Sequence, residues 1–302
     1  MRITNNMLIN NMLNNLSNNL NRMNKYQNQL ATGKKISLPS DDPIVASRAL
    51  KLRTDVAEIQ QYKRNVDDAT SWMEITEKTL GQMGEVMHRV RELAVQAGNE
   101  TNTPEDLDKI KQEMEQLRIQ MIHLANTTYA GRYIFSGYKT DKPLLDENGA
   151  FLIDISNSEQ ILFEIGIGDD ININVTGSDL LNNGTDAAAG DVSWLLSTFN
   201  DIIAALEAGD SKAVGNMLSR IDDDINNILR VRSGVGARMN RLELTANRLE
   251  DDFINFTALM SKNEDVDIAE AIMNLMNEEN VYRASLSAGA RVIQPSLVDF
   301  LK

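Results

Sequence analysis

Apolar residues near the beginning of the chain recur at alternating spacings of four and three. They are Ile9, Leu13, Leu16, Leu20, Met23 and Leu30, and Gln27 interrupts the series. This is the heptad spacing with which one face of a helix packs against a partner helix. Asparagines occupy many of the other positions, so packing along this face must outweigh their poor helix propensity. The pattern predicts one long N-terminal helix.

The end of the chain repeats this spacing. The apolar positions there are Ile268, Ile272, Leu275, Tyr282, Leu286 and Ile293, broken at Glu279 and Gly289 and followed beyond Pro295 by Leu297 and Phe300. Two helices with complementary apolar faces pair as a coiled coil. Met12 at one end and Met273 and Met276 at the other lie off these faces, so a single partner helix cannot cover all the apolar surface. We therefore expect neighbouring copies of the chain to cover the remaining apolar surface of both ends.

The middle of the chain is mostly helical by pattern. One helix is predicted from Ile44 to about Ala97, ending at Gly98. Thr103 as N-cap and Pro104 at the first position predict the next helix, which reaches about Asn126. A helix follows "DVSW" and ends at Gly209, and a single long run is predicted over 212–260.

Short segments rich in β-formers separate the two helical parts. "AFLIDI", "QILFEI" and "DININV" alternate partly between apolar and polar residues and are parted by turn residues. Such segments are typical of short antiparallel strands. The fold class is therefore mainly α with a small β insert.

Two neighbouring carboxylates in "LPSDDP" could belong either to a metal site or to a helix start. Asp42 followed by Pro43 is the N-cap and first position of a helix, where a carboxylate accepts amide hydrogen bonds. A metal ion would need further oxygen ligands, which the adjacent residues do not offer. We therefore interpret Pro39, Asp41, Asp42 and Pro43 as a hinge and helix cap.

Composition and charge narrow the possible functions. The chain has 302 residues, a net charge of -14 and no cysteine. Such a charge disfavours nucleic-acid binding, and no apolar stretch approaches the roughly 18 residues of a membrane span. The two histidines, His88 and His123, lack the partners of a helical metal site. We predict no catalytic, cofactor or metal site and no membrane insertion.

Several motifs resemble one known family. "LATGKKISLPSDDPIVASRALKLR" resembles the start of bacterial flagellins and, through "PSDDP", more closely the hook-filament junction proteins of that family. "GRYIFSGYKTDKP" is similar to the stretch that separates these junction proteins from flagellin proper. "RSGVGARMNRLE", "SKNEDVDIAEAI" and "AGARVIQPSLVDFLK" are similar to the flagellin-type C-terminal half. The resemblance covers almost the whole chain and is weakest over residues 140–185.

The resemblance implies an elongated, flagellin-like rod. Residues 1–40 with 265–302 would form a terminal coiled-coil domain, 41–138 with 187–264 a helical bundle, and 139–186 an outer β-rich insert. It implies a structural protein joining the hook, through the first hook-associated protein, to the flagellin filament. Its partners would be that protein, flagellin, further copies of itself and a cytoplasmic export chaperone. It would lie outside the cell, exported without signal-peptide cleavage.

Two other functions stay open at the level of sequence. The nearest alternative is a flagellin filament subunit. An alternative of another class is a cytoplasmic helical adaptor or signalling rod.

Overall fold

The computed structural model describes residues 5–99, 102–181, 184 and 186–292. The helices of these residues are α1 (Asn5–Thr32), α2 (Pro43–Ala97), α3 (Pro104–Ala125), α4 (Gly177–Leu180), α5 (Trp194–Glu207), α6 (Ser211–Asn216), α7 (Leu218–Glu264) and α8 (Ile268–Val292). The strands are β1 (Thr128–Tyr129), β2 (Arg132–Tyr133), β3 (Ile155–Ser156), β4 (Leu162–Gly166), β5 (Asp169–Asn172) and β6 (Asp186–Ala187). The prediction of a mainly helical fold with a small β insert is confirmed.

The predicted start of α3 is confirmed in atomic detail. Thr103 Oγ1 accepts a hydrogen bond of 3.3 Å from the backbone N–H of Asp106, and its hydroxyl donates to Asp106 Oδ2 over 2.6 Å. Pro104 is the first helical residue. Proline lacks a backbone N–H, and at this position an N–H would have no partner within the helix. The reciprocal bonds fix both the cap and the first turn.

The single long helix predicted over 212–260 is wrong. The segment divides into α6 and α7 around Met217, which is the C-cap of α6. Asp210 caps α6 by accepting a hydrogen bond of 3.0 Å from Ala213 N–H. Gly215 lies against the end of α2, because a Cβ built on Gly98 would be 3.6 Å from its Cα. Glycine weakens a helix, which favours the break near Gly215.

The β insert consists of small antiparallel pairs. In the part of the chain that the structure describes, β1 pairs with β2, β3 with β6, and β4 with β5, each as a separate two-stranded sheet. The expected strand over 150–155 is reduced to isolated bridges and β3, because Phe151 bonds to the loop before α5. Phe151 N–H donates to Asp191 O at 2.8 Å, and Gly190 N–H donates back to Phe151 O at 2.8 Å.

The chain divides into two compact units. Unit 1 contains Met1–Glu58 and Asp252–Lys302, and unit 2 contains Ile59–Asp251. Unit 1 therefore takes the first part of α2 and the last part of α7. The three-part division expected from the sequence, at residues 40, 138, 186 and 264, stays a prediction.

Unit 2 has a core of large side chains. Its most deeply buried residues include Met73, Leu80, Met83, Met87, Met114, Met121, Phe135, Phe151 and Phe199. The β4–β5 hairpin is held to the helices by polar contacts. Asn65 Nδ2 donates to Glu164 O over 2.7 Å, and Arg241 pairs with Asp169. Burial of this many large apolar side chains accounts for the stability of unit 2.

Candidate assembly surface

Helices α1 and α8 pack side by side in unit 1 and run antiparallel. Arg22 Nε donates to Glu278 Oε1 over 2.9 Å, and Asn19 Nδ2 donates to Ser285 Oγ over 3.0 Å. As the residue number falls along α1, that of the α8 partner rises. The predicted pairing of the terminal helices is therefore present within one chain.

The contact between the helices keeps every second position of the predicted series and displaces the others by one residue. On α1 the buried or half-buried side chains that follow heptad spacing are Ile9, Met12, Leu16, Asn19, Met23, Tyr26 and Leu30. On α8 they are Ala271, Leu275, Glu278, Tyr282, Ser285 and Gly289. Half of the predicted positions thus belong to the contact. Leu20, another predicted position, is also half-buried.

Several predicted seam residues are instead exposed. Leu13, Ile268, Ile272 and Leu286 have 41% to 61% of their surface accessible within one chain. Polar residues can replace them in the contact because Asn19, Ser285 and Glu278 form hydrogen bonds across it. Ile293, Leu297 and Phe300 lie outside the described residues. A role of these side chains in assembly stays a prediction.

A small residue on α8 lets the two helices approach closely. A Cβ built on Gly289 would lie 2.5 Å from Met12 Sδ, so the thioether occupies the space that a side chain would need. The glycine that interrupts the apolar spacing in the sequence is therefore a packing position. Sequence spacing had marked it only as a weak point of the seam.

Unit 1 has almost no apolar core of its own. Among its described residues, the buried apolar side chains are Ala46, Ala49, Val56 and Ala271. Three of these are alanines, whose burial contributes little. Asn19, Gln29 and Glu264 are buried as well, and all three are polar.

Large apolar side chains of unit 1 instead face outward. Those with 41% to 66% of their surface exposed in one chain are Met7, Leu8, Leu13, Leu38, Ile44, Leu50, Ile254, Leu259, Ile268, Ile272, Met273, Met276, Val281 and Leu286. We call this set the apolar face of unit 1. Where such residues adjoin one another, they form apolar patches of the kind that mark interaction sites in soluble proteins.

The two connections of unit 1, between α1 and α2 and between α7 and α8, are bonded to each other. Lys35 N–H donates to Glu264 O over 2.6 Å, and Val266 N–H donates to Gly33 O over 3.0 Å. Gly33 has φ of 70°, a left-handed conformation that favours glycine. These hydrogen bonds join the α1–α2 connection to the α7–α8 connection.

A buried carboxylate lies at this tie. Glu264 is only 2% exposed and accepts two hydrogen bonds from Arg53, of 2.6 Å from Nε and 2.7 Å from Nη2. Lys34 Nζ is 3.4 Å from Glu264 and 2.7 Å from Asp265. The Arg53 hydrogen bond is the main reason that the pKa of Glu264 lies below its ordinary value, against the opposing effect of burial. No local pattern in the sequence indicates this cluster, because its two halves are more than 200 positions apart along the chain.

The "PSDDP" carboxylates hold backbone groups at the start of α2. Asp42 Oδ1 accepts hydrogen bonds from Ile44 and Val45 N–H, at 3.0 and 3.1 Å. Asp41 Oδ2 accepts from Ser37 and Leu38 N–H, at 3.2 and 3.0 Å, and these backbone bonds lower its pKa. Pro39 lies in the turn and Pro43 begins α2. A hinge at this turn stays a prediction.

The other candidates from the sequence are dispersed. His88 on α2 and His123 on α3 are both exposed. Within 5–99, 102–181, 184 and 186–292, no three side chains of histidine, aspartate or glutamate come together as metal ligands would. None of the helices in those same ranges is both long and apolar enough to cross a bilayer.

Comparison with known proteins agrees with the resemblance seen in the sequence. Residues 3–140 match the bacterial flagellin N-terminal helical region, and residues 218–301 match the bacterial flagellin C-terminal helical region. Flagellar hook-associated protein 3 of Escherichia coli K12 is 30% identical, over 87% of this chain and 88% of that protein. Flagellin of Bacillus subtilis 168 is 31% identical, over 97% of each chain.

The fold is also found among solved structures. The flagellar junction protein FlgL of Legionella pneumophila superposes with a TM-score of 0.57, covering 72% of this chain and all of that one. Its sequence identity is 18%, so this likeness concerns the fold alone.

Proposed function

The chain belongs to the flagellin family, and from this premise we propose that it is a structural protein of the bacterial flagellum that joins the hook to the flagellin filament. The observation that carries the proposal is the likeness to flagellar hook-associated protein 3, which extends over 88% of that protein's length. Its relatives are named as components of the flagellum, so the role is structural and not catalytic.

The apolar face of unit 1 supports a role in a polymer. Covering one large apolar side chain contributes about 1.5–3 kcal/mol relative to leaving it exposed. The buried apolar residues among those described in unit 1 are small, and fourteen large apolar side chains are exposed in one chain. Neighbouring copies would cover this face, and ordering of the ends would accompany assembly.

The partners and the location follow from the same proposal. On the hook side the chain contacts the first hook-associated protein, and on the filament side it contacts flagellin. Further copies form the junction itself. Before export, a cytoplasmic chaperone covers the C-terminal part of the apolar face, and the chain leaves the cell through the flagellar type III apparatus without signal-peptide cleavage.

Electron microscopy of flagella tests this proposal directly. Gold-labelled antibody against the chain should mark a short band between hook and filament, and a deletion strain should release unpolymerised flagellin into the medium. Restoring the gene should restore filaments. Label along the whole filament, or normal filaments in the deletion strain, would overturn the assignment to the junction.

A flagellin subunit is the second candidate, because flagellin of Bacillus subtilis matches over 97% of both chains. A filament subunit polymerises into long filaments on its own, whereas a junction protein stops after a short assembly. Purified chain should therefore give no long filaments when seeded with hook-basal-body fragments and kept under conditions in which flagellin grows.

A further inference from the structure

Polar side chains interrupt the contact between α1 and α8 at its middle. Asn19 Nδ2 donates to Ser285 Oγ over 3.0 Å, and Arg22 Nη2 donates to Asn19 Oδ1 over 2.6 Å. Arg22 Nε donates in turn to Glu278 Oε1 over 2.9 Å. We call Asn19, Arg22, Glu278 and Ser285 the polar cluster. It links the two helices through one continuous chain of hydrogen bonds.

The bonds of the cluster matter because two of its side chains are withdrawn from water. Asn19 is 7% exposed and the side chain of Glu278 is 17% exposed. A buried amide or carboxylate that loses its partner is penalised more than a pair gains by forming. The cluster therefore acts mainly by disfavouring arrangements in which its members are separated.

Slipping one helix by a heptad would separate them. A shift of seven residues in one direction places Ala271 opposite Arg22 and Glu278 opposite Asn19. A shift in the other direction places Ser285 opposite Arg22. In both cases Asn19 no longer faces Ser285 and Arg22 no longer faces Glu278.

The heptad spacing of the apolar residues alone does not distinguish these registers. Leu16, Met23 and Leu30 follow each other at intervals of seven on α1, and Leu275 and Tyr282 do so on α8. A slip of one heptad therefore keeps these residues on the contact side of each helix. The close fit of Met12 to Gly289 would also be lost, because a slip in one direction brings Tyr282 opposite Met12.

We propose that the polar cluster specifies the register in which the two terminal helices pair. A single buried asparagine fixes register in coiled coils in the same way, at some cost in stability. A fixed register gives every copy the same arrangement of Ile272 and Met276 on the apolar face. The inference concerns pairing within one chain and does not depend on the flagellar role.

Engineered disulfides can measure the register, because the chain contains no cysteine. M12C with G289C reports the observed register, and M12C with Y282C reports the register slipped by seven residues. The first pair also removes the fit of Met12 to Gly289, so the polar cluster is then the main device left to hold the register. Each pair is oxidised in the purified full-length chain, and the rates of intramolecular disulfide formation are compared.

In the native background the first pair should close at least about tenfold faster than the second, as expected for loss of a hydrogen bond to a charged group. N19L and R22M should each reduce this ratio several-fold. N18L, which makes the same change at an exposed neighbouring position, should leave it unchanged. Circular dichroism should show that N19L keeps the helix content, which separates loss of register from loss of folding.

Three results would overturn the proposal. The ratio could be near one in the native background, it could be unchanged in both N19L and R22M, or neither pair could close at all. None of these results bears on whether the chain lies at the hook-filament junction, which the antibody label decides.

Discussion

The guanidinium of Arg53, in the first part of α2, donates two hydrogen bonds to the carboxylate of Glu264, the last residue of α7. The two residues are 211 positions apart. Their pairing connects the segments that lead into α1 and α8. The pair lies next to the bonded connections that lead to α1 and α8 within unit 1.

Replacing Glu264 by glutamine should destabilise this tie. E264Q keeps the shape but removes the charge facing Arg53 and Lys34, and a hydrogen bond to a charged group contributes about 1.5–3 kcal/mol. Because Arg53 is largely exposed, we expect a loss nearer the lower end of that range. Amide hydrogen exchange of residues 33–35 and 264–266 measures the effect. E270Q, at an exposed position on α8, is the matched control, and equal effects in both variants would contradict the prediction.

Acid should weaken the same tie. The pKa of Glu264 lies below its ordinary value of 4.5, chiefly through Arg53. A lowered pKa means that the stabilisation is fully present above pH 4.5 and is lost as the pH falls through the pKa of the folded protein. The pKa of Asp265 is lowered as well, chiefly through Lys34. Urea unfolding as a function of pH should therefore show a smaller acid loss in E264Q than in the native chain, whereas identical curves would exclude this role.

Removing the N-cap of α2 should have a local effect. D42A deletes the acceptor for Ile44 and Val45 N–H, and loss of an N-cap aspartate costs about 0.5–2 kcal/mol. Exchange of the amides in the first turn of α2 should accelerate accordingly. D68A, at an exposed position inside α2, should not accelerate it, and protection unchanged in D42A would show that the cap is dispensable.

Limited proteolysis should cut unit 1 before unit 2. The buried apolar residues among those described in unit 1 are three alanines and a valine, whereas unit 2 buries phenylalanines, leucines and methionines. Segments with few buried apolar contacts open at low free energy and are cleaved first. Mass spectrometry should find early cuts within 5–58 and 252–292 and a persistent fragment within 59–251. Early cuts in the core helices of unit 2 would contradict this expectation.

A charge on the apolar face should block assembly without unfolding the chain. Ile272 is 41% exposed in one chain, so I272D should leave unfolding by urea nearly unchanged. Covered by a neighbouring copy, the carboxylate would lack water and a partner, which disfavours association. N277D adds the same charge at an exposed polar position on α8 and is the control. Normal incorporation of I272D into flagella would show that Ile272 is not part of the assembly surface.

Local signals in the sequence were sufficient for several elements. Thr103 and Pro104 predicted the start of α3, because capping uses residues within one turn. The break at Met217 was missed because apolar spacing continues across it. The covered side of each terminal helix was missed by one residue at every second position, for a similar reason. The predicted series and the observed contact share Ile9, Leu16, Met23 and Leu30. Whether Leu13 or Met12 is covered depends on the facing helix.

The sequence by itself determined the helices, the place of the β insert and the excess of apolar residues at both ends, since periodicity and caps act over one or two turns. Only the tertiary structure decided which face of each terminal helix is covered and that Arg53, Lys34 and Glu264 meet. Those outcomes depend on hydrogen bonds and close fits between residues more than 200 positions apart, such as Asn19 with Ser285. Spacing along one helix contains no information about the partner's side chains, so it cannot specify them.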